Sequence, residues 1–463
     1  MEVYTVPVSD PQDLPRKYII YRPLTGLAFV GNRAMADLAI QWTGEVGTEK
    51  WIPTGPVTIK QKEAEDFLRR IGFFEPDPPQ PASRSTQYQP TTAVLLMTTR
   101  CQLRCVYCYA AAGEHPAQDL PPELGRAAID AVCRNALERG SSQFELTYHG
   151  GGEPTFNWKT LQSCTLYARH KPIRASISLT SNGIWSRPQC QWIITNLDYV
   201  SFSMDGSPKT QDSGRPFTSG RPSSPIVMKN IQQLDQRQFA YGIRLTSTAP
   251  WTNLPDEVRF ICQETSCRSI QVEPAFNILR GGHGKPGIEE AQAFIEAFME
   301  AYDVARQAGC QFYYSGARLG LVTDIFCSAP MGALIVNANG DLVACYEIAD
   351  RQHALMGISI IGKIQDGAPV VDEKARSSLR QLMAERRASC RECFCYWSCA
   401  GDCYTRAFQD GPGGHLQHDR RCDINREIMR RLLLYHIAES EEGVFLTPRV
   451  VGIPQSLELP GLG

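Results

Sequence analysis

Ten cysteines stand at intervals that a packed core does not require. Cys101, Cys105 and Cys108 form a C-x3-C-x2-C run, and Cys327, Cys345, Cys390, Cys393, Cys399, Cys403 and Cys422 follow downstream. Whatever this chain folds into must gather those thiols, because cysteines at such spacing are disulfide partners or metal ligands. The first residues, MEVYTVPVSDPQDLPRK, have neither the basic start nor the apolar stretch of a secretory signal, which predicts a cytoplasmic protein. In that compartment thiols stay reduced, so the 17 cysteines read as metal ligands and core residues rather than disulfides. No apolar run approaches the roughly 20 residues of a membrane span, so no membrane association is expected. With 47 basic against 49 acidic side chains (net −2), no nucleic-acid partner is expected either.

At 463 residues the chain predicts roughly two to four domains. Residues 1–75 read as a small α+β unit. Two strands flank a Pro-Leu-Thr-Gly turn within 17–32, and helices follow at 33–42 and 62–74, the second with Phe67, Ile71 and Phe74 on one face. Residues 76–90, rich in proline and poor in apolar residues, read as a semi-rigid linker. From 91 to 310 short β-rich runs at 92–98, 143–150, 175–183, 199–206, 241–249 and 269–276 alternate with segments of helical period. Six β/α units in series predict an α/β fold whose parallel sheet is wound as a partial or closed barrel, with its chemistry at the C-terminal strand ends. After about 310 the alternation stops. Residues 333–345 predict a hairpin turning at Asn339-Gly340, followed by a cysteine-dense stretch and a helix over 427–440. The tail, 441–463, carries no readable role.

The C-x3-C-x2-C run directly follows the first barrel strand. Three thiolates on one loop hold three irons of a 4Fe–4S cluster and leave the fourth open. Zinc is the alternative soft-ligand reading, but it wants a fourth ligand close by, and none lies in the adjacent sequence. With Tyr107 immediately before the third cysteine, the segment resembles the radical S-adenosylmethionine (SAM) superfamily. That resemblance implies a partial (β/α)6 barrel, SAM bound to the open iron, and a 5′-deoxyadenosyl radical that abstracts hydrogen from substrate. It assigns Gly151, Gly152 and Glu153 of HGGGEP (149–154) to the SAM ammonium. Ser181, Asn182, Ser203 and Asp205, at the third and fourth strand ends, become candidates for its ribose and carboxylate. Arg244 is a candidate partner for the carboxylate. Taken singly, each polar residue also fits ordinary loop capping.

The downstream series resembles the SPASM extension of peptide-modifying radical SAM enzymes, which holds two further 4Fe–4S clusters. Position by position, auxiliary cluster II takes Cys390, Cys393, Cys399 and Cys422, and auxiliary cluster I takes Cys327, Cys345 and Cys403. Two fully ligated clusters need one more ligand. Cluster I therefore has an open iron, or borrows Cys310 or Cys395. A zinc ribbon is the rival reading of this segment.

The SPASM resemblance implies peptide substrates, and the N-terminal unit resembles the winged-helix-like element that captures a precursor's leader by strand addition. A structural cap on the barrel is the bland alternative. The favoured function is a maturase of a ribosomally made precursor peptide, forming a carbon–carbon or thioether cross-link and fed by an electron donor such as flavodoxin or ferredoxin. Epimerisation, with Cys395 or Cys310 as hydrogen-atom donor, and a sulfatase-maturase-like oxidation of Cys or Ser are alternatives. Glu347 and Asp341 are candidate proton acceptors. From a different class, the chain reads as a non-catalytic iron–sulfur electron carrier. Cys133, Cys164, Cys190 and Cys262 fall in helical patterns and read as small buried hydrophobes.

Overall fold

The computed structural model describes residues 1–8, 17–41, 59–81, 87–114, 116–276, 278–349, 351, 353–408 and 416–451. The N-terminal part supplies β1 (Tyr4–Pro7), β2 (Lys17–Arg22) and β3 (Leu27–Asn32), an antiparallel run followed by helices Arg33–Gln41 and Ile59–Arg70. Its small core gathers Ile20, Leu27, Phe29, Ala39, Leu68 and Phe73, with Phe67, Ile71 and Phe74 packed against it. Arg22 is fully buried beneath this core, where it donates to Glu75 O at 2.8 Å and Asp77 Oδ1 at 2.5 Å. The turn out of the last helix is thereby pinned to the sheet. Five residues of the predicted linker, 82–86, lie outside the described residues.

The barrel strands are β4 (Thr92–Leu96), β5 (Gln143–His149), β6 (Arg174–Ser181), β7 (Tyr199–Ser203), β8 (Tyr241–Ser247) and β9 (Ser269–Pro274), parallel and in sequence order. Each of the six β-rich runs supplies one of them. Apolar residues dominate β4 because helices cover one face of the parallel sheet and the barrel interior takes the other. Helix Pro122–Glu138 buries Ala128, Ile129, Val132, Cys133 and Ala136 against that sheet and starts on a proline, which suits a first turn. Helix Arg187–Asn196 starts on a capping box between Ser186 and Gln189 and buries Cys190. Cys164 is buried on the helix Trp158–Arg169, whereas Cys262 is only partly buried.

The sheet does not stop where the alternation in sequence does. β10 (Gln311–Tyr314) pairs in parallel with β9. After the two-residue β11 (Leu321–Val322), β12 (Ala333–Val336) lies parallel to β4 on the opposite edge, with Ile335 opposite Val94. β13 (Asp341–Val343), β14 (Ile360–Gln365) and β15 (Ala368–Val371) extend it by antiparallel pairing into eleven strands. The hairpin of β12 and β13 turns over 337–340 with Gly340 at φ +78°, a conformation glycine adopts without penalty. A single sheet thus crosses the boundary expected near 310, because both 311–314 and 333–336 supply short apolar runs that complete its edges.

The tail has a place as well. β16 (Val444–Leu446) pairs antiparallel with β3, and β17 (Val450–Val451) pairs parallel with β11. The last described residues therefore tie the N-terminal sheet to the segment that leads into Cys327. Helix Arg420–Glu439 carries Cys422 in its first turn and buries Ile428, Met429, Leu432 and Leu433. No helix among the described residues is long and apolar enough to cross a membrane.

Candidate functional site

One cavity of about 430 Å³ opens at the C-terminal ends of the barrel strands. Cys101, Cys105 and Cys108 line it from the loop after β4, and Cys327, Cys345 and Cys403 line it from the other side. Glu347 lies on this second wall, and Arg244 projects from β8. The cysteines fall into three local groups. Cys101, Cys105 and Cys108 act electrostatically on one another, Cys345 feels Cys403 and Cys327, and Cys399 feels Cys422 and Cys393. Among the described residues no three His, Cys, Asp or Glu side chains gather tightly enough to hold a single metal ion.

The three-cysteine loop is backed by a dense polar network. Asp205 is buried and accepts from the Tyr107 hydroxyl, from Arg215 Nη2 at 3.0 Å and from Thr246 N at 3.0 Å. The Arg215 guanidinium lies over the Tyr107 ring, 5.2 Å from its centroid. Asp205 therefore stands behind the cavity, positioning Tyr107 and Arg215, and does not line it. Ser203, also proposed from the fourth strand end, does line it. Burial pushes the Cys101 thiol up to about 12 and Cys105 to about 11.

After β5 the chain turns through Gly150-Gly151-Gly152. A side chain does not fit at the last two: a Cβ on Gly152 would stand 2.0 Å from Arg100 O, and one on Gly151 would stand 2.3 Å from Ala349 Cβ. Glu153 is buried at the end of this turn. Its Oε1 accepts from Thr155 N at 3.1 Å, Thr155 Oγ1 at 2.8 Å and Ser181 Oγ at 2.8 Å, and its Oε2 accepts from Asn182 N at 2.8 Å. Burial raises this carboxyl and the four donors oppose the rise. Ser181 is fully occupied, since it also accepts from Trp185 Nε1 and Gly183 N. The Asn182 side-chain amide donates to Cys101 Sγ at 3.6 Å.

Arg244 Nε is buried without a hydrogen-bond partner. Close to Arg244 stands His149, whose ring stacks on Tyr346 at 5.2 Å and whose Nδ1 accepts from Gly150 N at 3.0 Å. Burial, then Arg244, pulls the imidazole down to about 3, so it is neutral. On the far wall His283 Nε2 pairs with Glu347 Oε2 at 3.0 Å, and Arg406 approaches Glu347 Oε1 at 4.0 Å. Burial would raise Glu347, but His283 and then Arg406 overrule it and hold the carboxyl at about 2.

Two candidate catalytic residues stand away from this cavity. Asp341 is buried in the hairpin, where Arg351 Nη2 pairs with it at 2.7 Å. Cys395 is 2% exposed, close to Cys393, Cys399 and Tyr21, and it does not reach the cavity. Cys310 interacts with Cys262 and Cys267 behind the barrel and is likewise absent from the wall. Neither Cys310 nor Cys395 lines the cavity beside Cys327, Cys345 and Cys403. Sequence reading missed His149, Arg215, His283 and Arg318. Of these only His149 carried a signal, as the first letter of HGGGEP; the others converge from loops remote in sequence.

Parallel strands wound into a partial barrel, with a three-cysteine loop after the first and a glycine turn after the second, define the class of fold and site. Residues 95–246 match the family model described as Radical SAM superfamily, and the chain carries a radical SAM domain. Fe-coproporphyrin III synthase of Methanosarcina barkeri is 30% identical over 151 residues, 32% of this chain, and the match spans 35% of that protein's length. A serine-type anaerobic sulfatase-maturating enzyme of Klebsiella pneumoniae is 22% identical over 65% of this chain and 78% of its own. Among solved structures, anSMEcpe with bound AdoMet and Kp18Cys peptide aligns at TM-score 0.59 and 16% identity, covering 75% of this chain and 99% of that one. Streptococcus suis SuiB bound to precursor peptide SuiA aligns at TM-score 0.52 and 14% identity, covering 84% and 87%. At these identities the structural likeness is one of fold.

Proposed function

We propose that this chain is a radical SAM enzyme that modifies a peptide, forming a carbon–carbon or thioether cross-link in a ribosomally made precursor. The observation that carries the reading is the shared cavity: Cys101, Cys105 and Cys108 face Cys327, Cys345 and Cys403 across one space. The residues present fit the groups this requires. Three soft thiolates suit a 4Fe–4S cluster with one open iron. The close-packed Gly151-Gly152 turn brings backbone up to a ligand, Glu153 offers a carboxylate for an ammonium, and the orphaned Arg244 offers a guanidinium for a carboxylate. Asn182 and Ser203 border the same space. Cys327, Cys345 and Cys403 would hold one auxiliary cluster and Cys390, Cys393, Cys399 and Cys422 the other.

When bound, these groups supply one-electron chemistry: reductive cleavage of SAM, hydrogen-atom abstraction, and acceptance of the electron that cross-linking releases. This chain's own residues bind, orient and move the remaining proton. Arg244 and Glu153 orient the two charged ends of the SAM amino-acid portion. The hydrogen-bonded His283–Glu347 pair on the wall is placed to take the proton that leaves the substrate. Electrons would come from a flavodoxin- or ferredoxin-like donor. A leader segment would add to β1, the outermost strand of the N-terminal sheet, since β16 already fills the edge of β3.

The test is anaerobic reconstitution with iron and sulfide, then dithionite and SAM. The wild-type chain should release 5′-deoxyadenosine, and Cys101→Ala/Cys105→Ala/Cys108→Ala should release none. Retained cleavage in that variant would remove the assignment. Co-expression with a short peptide encoded beside the gene, followed by mass spectrometry, separates loss of two hydrogens (cross-linking) from unchanged mass (epimerisation). The likeness to sulfatase-maturating enzymes favours a second reading, oxidation of one Cys or Ser, which tandem fragmentation distinguishes from a cross-link.

A further inference from the structure

Arg318 sits in the short connection between β10 and β11, and its side chain is 7% exposed. Its guanidinium makes a fork. Nε and Nη2 both donate to Ser398 O, at 3.0 and 2.7 Å, and Nη1 donates to Phe326 O at 2.7 Å. Those carbonyls belong to the residues immediately before Cys399 and Cys327. One side chain therefore grips the backbone next to a cysteine of each auxiliary set. The Phe326 ring lies against the guanidinium, 4.8 Å from centroid to Cζ.

The charge on this group is met by carboxylates only at a distance. Among the described residues no Asp or Glu forms an ion pair with Arg318, although arginines elsewhere in the site do so: Arg215 with Asp205, and Arg421 with Asp402 at 2.8 Å. Burial disfavours the charge on Arg318, and Cys399, Cys327, Asp402 and Glu273 oppose that from nearby. A buried cation without a partner is strongly destabilising, and carbonyl acceptors satisfy its hydrogens without cancelling its charge. Net negative charge nearby would cancel it. A thiolate-ligated cluster carries such charge, and hydrogen bonds and charges around a cluster set its potential.

We infer that Arg318 couples the two auxiliary sites: its positive charge, held on backbone carbonyls rather than in a direct ion pair, raises the reduction potentials of both clusters, and its fork fixes the separation of Cys327 and Cys399. The inference rests on the cluster assignment proposed above and adds a positioning residue that also borders the shared cavity. A cation shared between two clusters favours the reduced form of each, which suits centres that accept an electron from a substrate and pass it on.

The experiment is an anaerobic redox titration followed by electron paramagnetic resonance on full-length wild type, Arg318→Gln and Arg318→Lys, with iron content measured on each. Three clusters correspond to about 12 irons per chain. A wild-type protein that loads only about four overturns the auxiliary-cluster reading itself, and this inference with it. With all clusters loaded, both auxiliary midpoints should fall in Arg318→Gln, stay near wild type in Arg318→Lys, and leave the midpoint of the Cys101–Cys105–Cys108 cluster unmoved. Unchanged auxiliary midpoints in Arg318→Gln, or a shift confined to one cluster, overturns the coupling. If Arg318→Gln does not load, Arg318→Met, also without charge, takes its place: depressed auxiliary midpoints support the electrostatic role, and midpoints near wild type overturn it.

Discussion

The Asn182 side-chain amide donates to Cys101 Sγ across 3.6 Å, while the Asn182 backbone N–H donates to Glu153 Oε2 at 2.8 Å. One residue after β6 thus joins the thiol loop that follows β4 to the carboxylate that follows β5. Asn182 is one of the ties that hold the two halves of the proposed SAM site in register. Asn182→Asp keeps the backbone bond but sets a negative charge beside the sulfur. Losing a hydrogen bond to a charged partner costs about 1.5–3 kcal/mol, so 5′-deoxyadenosine release should slow about tenfold or more. Asn182→Ala should fall between this variant and wild type, and the midpoint of that cluster should be lower in Asn182→Asp than in either.

Gly152→Ala addresses the turn itself. Its new Cβ would meet Arg100 O at 2.0 Å, backbone against side chain, and no rotamer relieves that contact. The turn must shift, and the bonds from Gly152 N to Thr98 O and from Glu153 N to Arg100 O go with it. SAM affinity, measured by equilibrium dialysis on the reconstituted protein, should fall more than tenfold. Iron content measured alongside separates lost SAM binding from a displaced cysteine loop, since Arg100 directly precedes Cys101.

The Tyr107–Asp205–Arg215 network predicts a stability effect. Asp205→Asn leaves Arg215 buried without its counter-charge, a change of the kind that costs about 3–5 kcal/mol. Tyr107→Phe removes one donor to the Asp205 carboxylate but no charge, and should cost less, about 1.5–3 kcal/mol. Chemical denaturation of both variants against wild type checks the ranking. Equal losses would mean that Asp205 acts by packing rather than by charge.

Much of this was legible in the chain. The six barrel strands follow from apolar, β-rich runs, and the NG turn announced the hairpin before Cys345. The grouping of Cys101, Cys105 and Cys108 follows from spacing, since cysteines a few residues apart on one loop share a neighbourhood whatever the fold, whereas the grouping of the downstream cysteines comes only from the resemblance. What stayed hidden depends on contacts between distant segments. β12 completes the sheet edge beside β4, and β16 caps β3, because short strands take register only from their neighbours. Asp205 looked like a ligand contact because it ends a barrel strand, yet Arg215 and Thr246 reach it first. Arg318 has no motif at all; its role is visible only once Ser398 and Phe326 are seen on either side of it.

His149 predicts a pH dependence. Its imidazole is held at about 3 by burial and by Arg244, against an ordinary value of 6.5. Between those two values the unfolded chain binds a proton at this position and the folded chain does not, so stability must fall as the pH drops through that window. The limiting slope for one such group is about 1.4 kcal/mol per pH unit. His149→Phe retains an aromatic ring to stack on Tyr346 and removes the titrating group. Melting temperatures taken at a fixed scan rate between about pH 5 and 7 should therefore decline less steeply with acid in His149→Phe than in wild type. The variant's melting temperature at pH 7 should be lower, because Gly150 N loses the Nδ1 acceptor it holds at 3.0 Å. Parallel acid profiles for the two proteins would show that other groups dominate the dependence and that His149 is not neutral for the reason given.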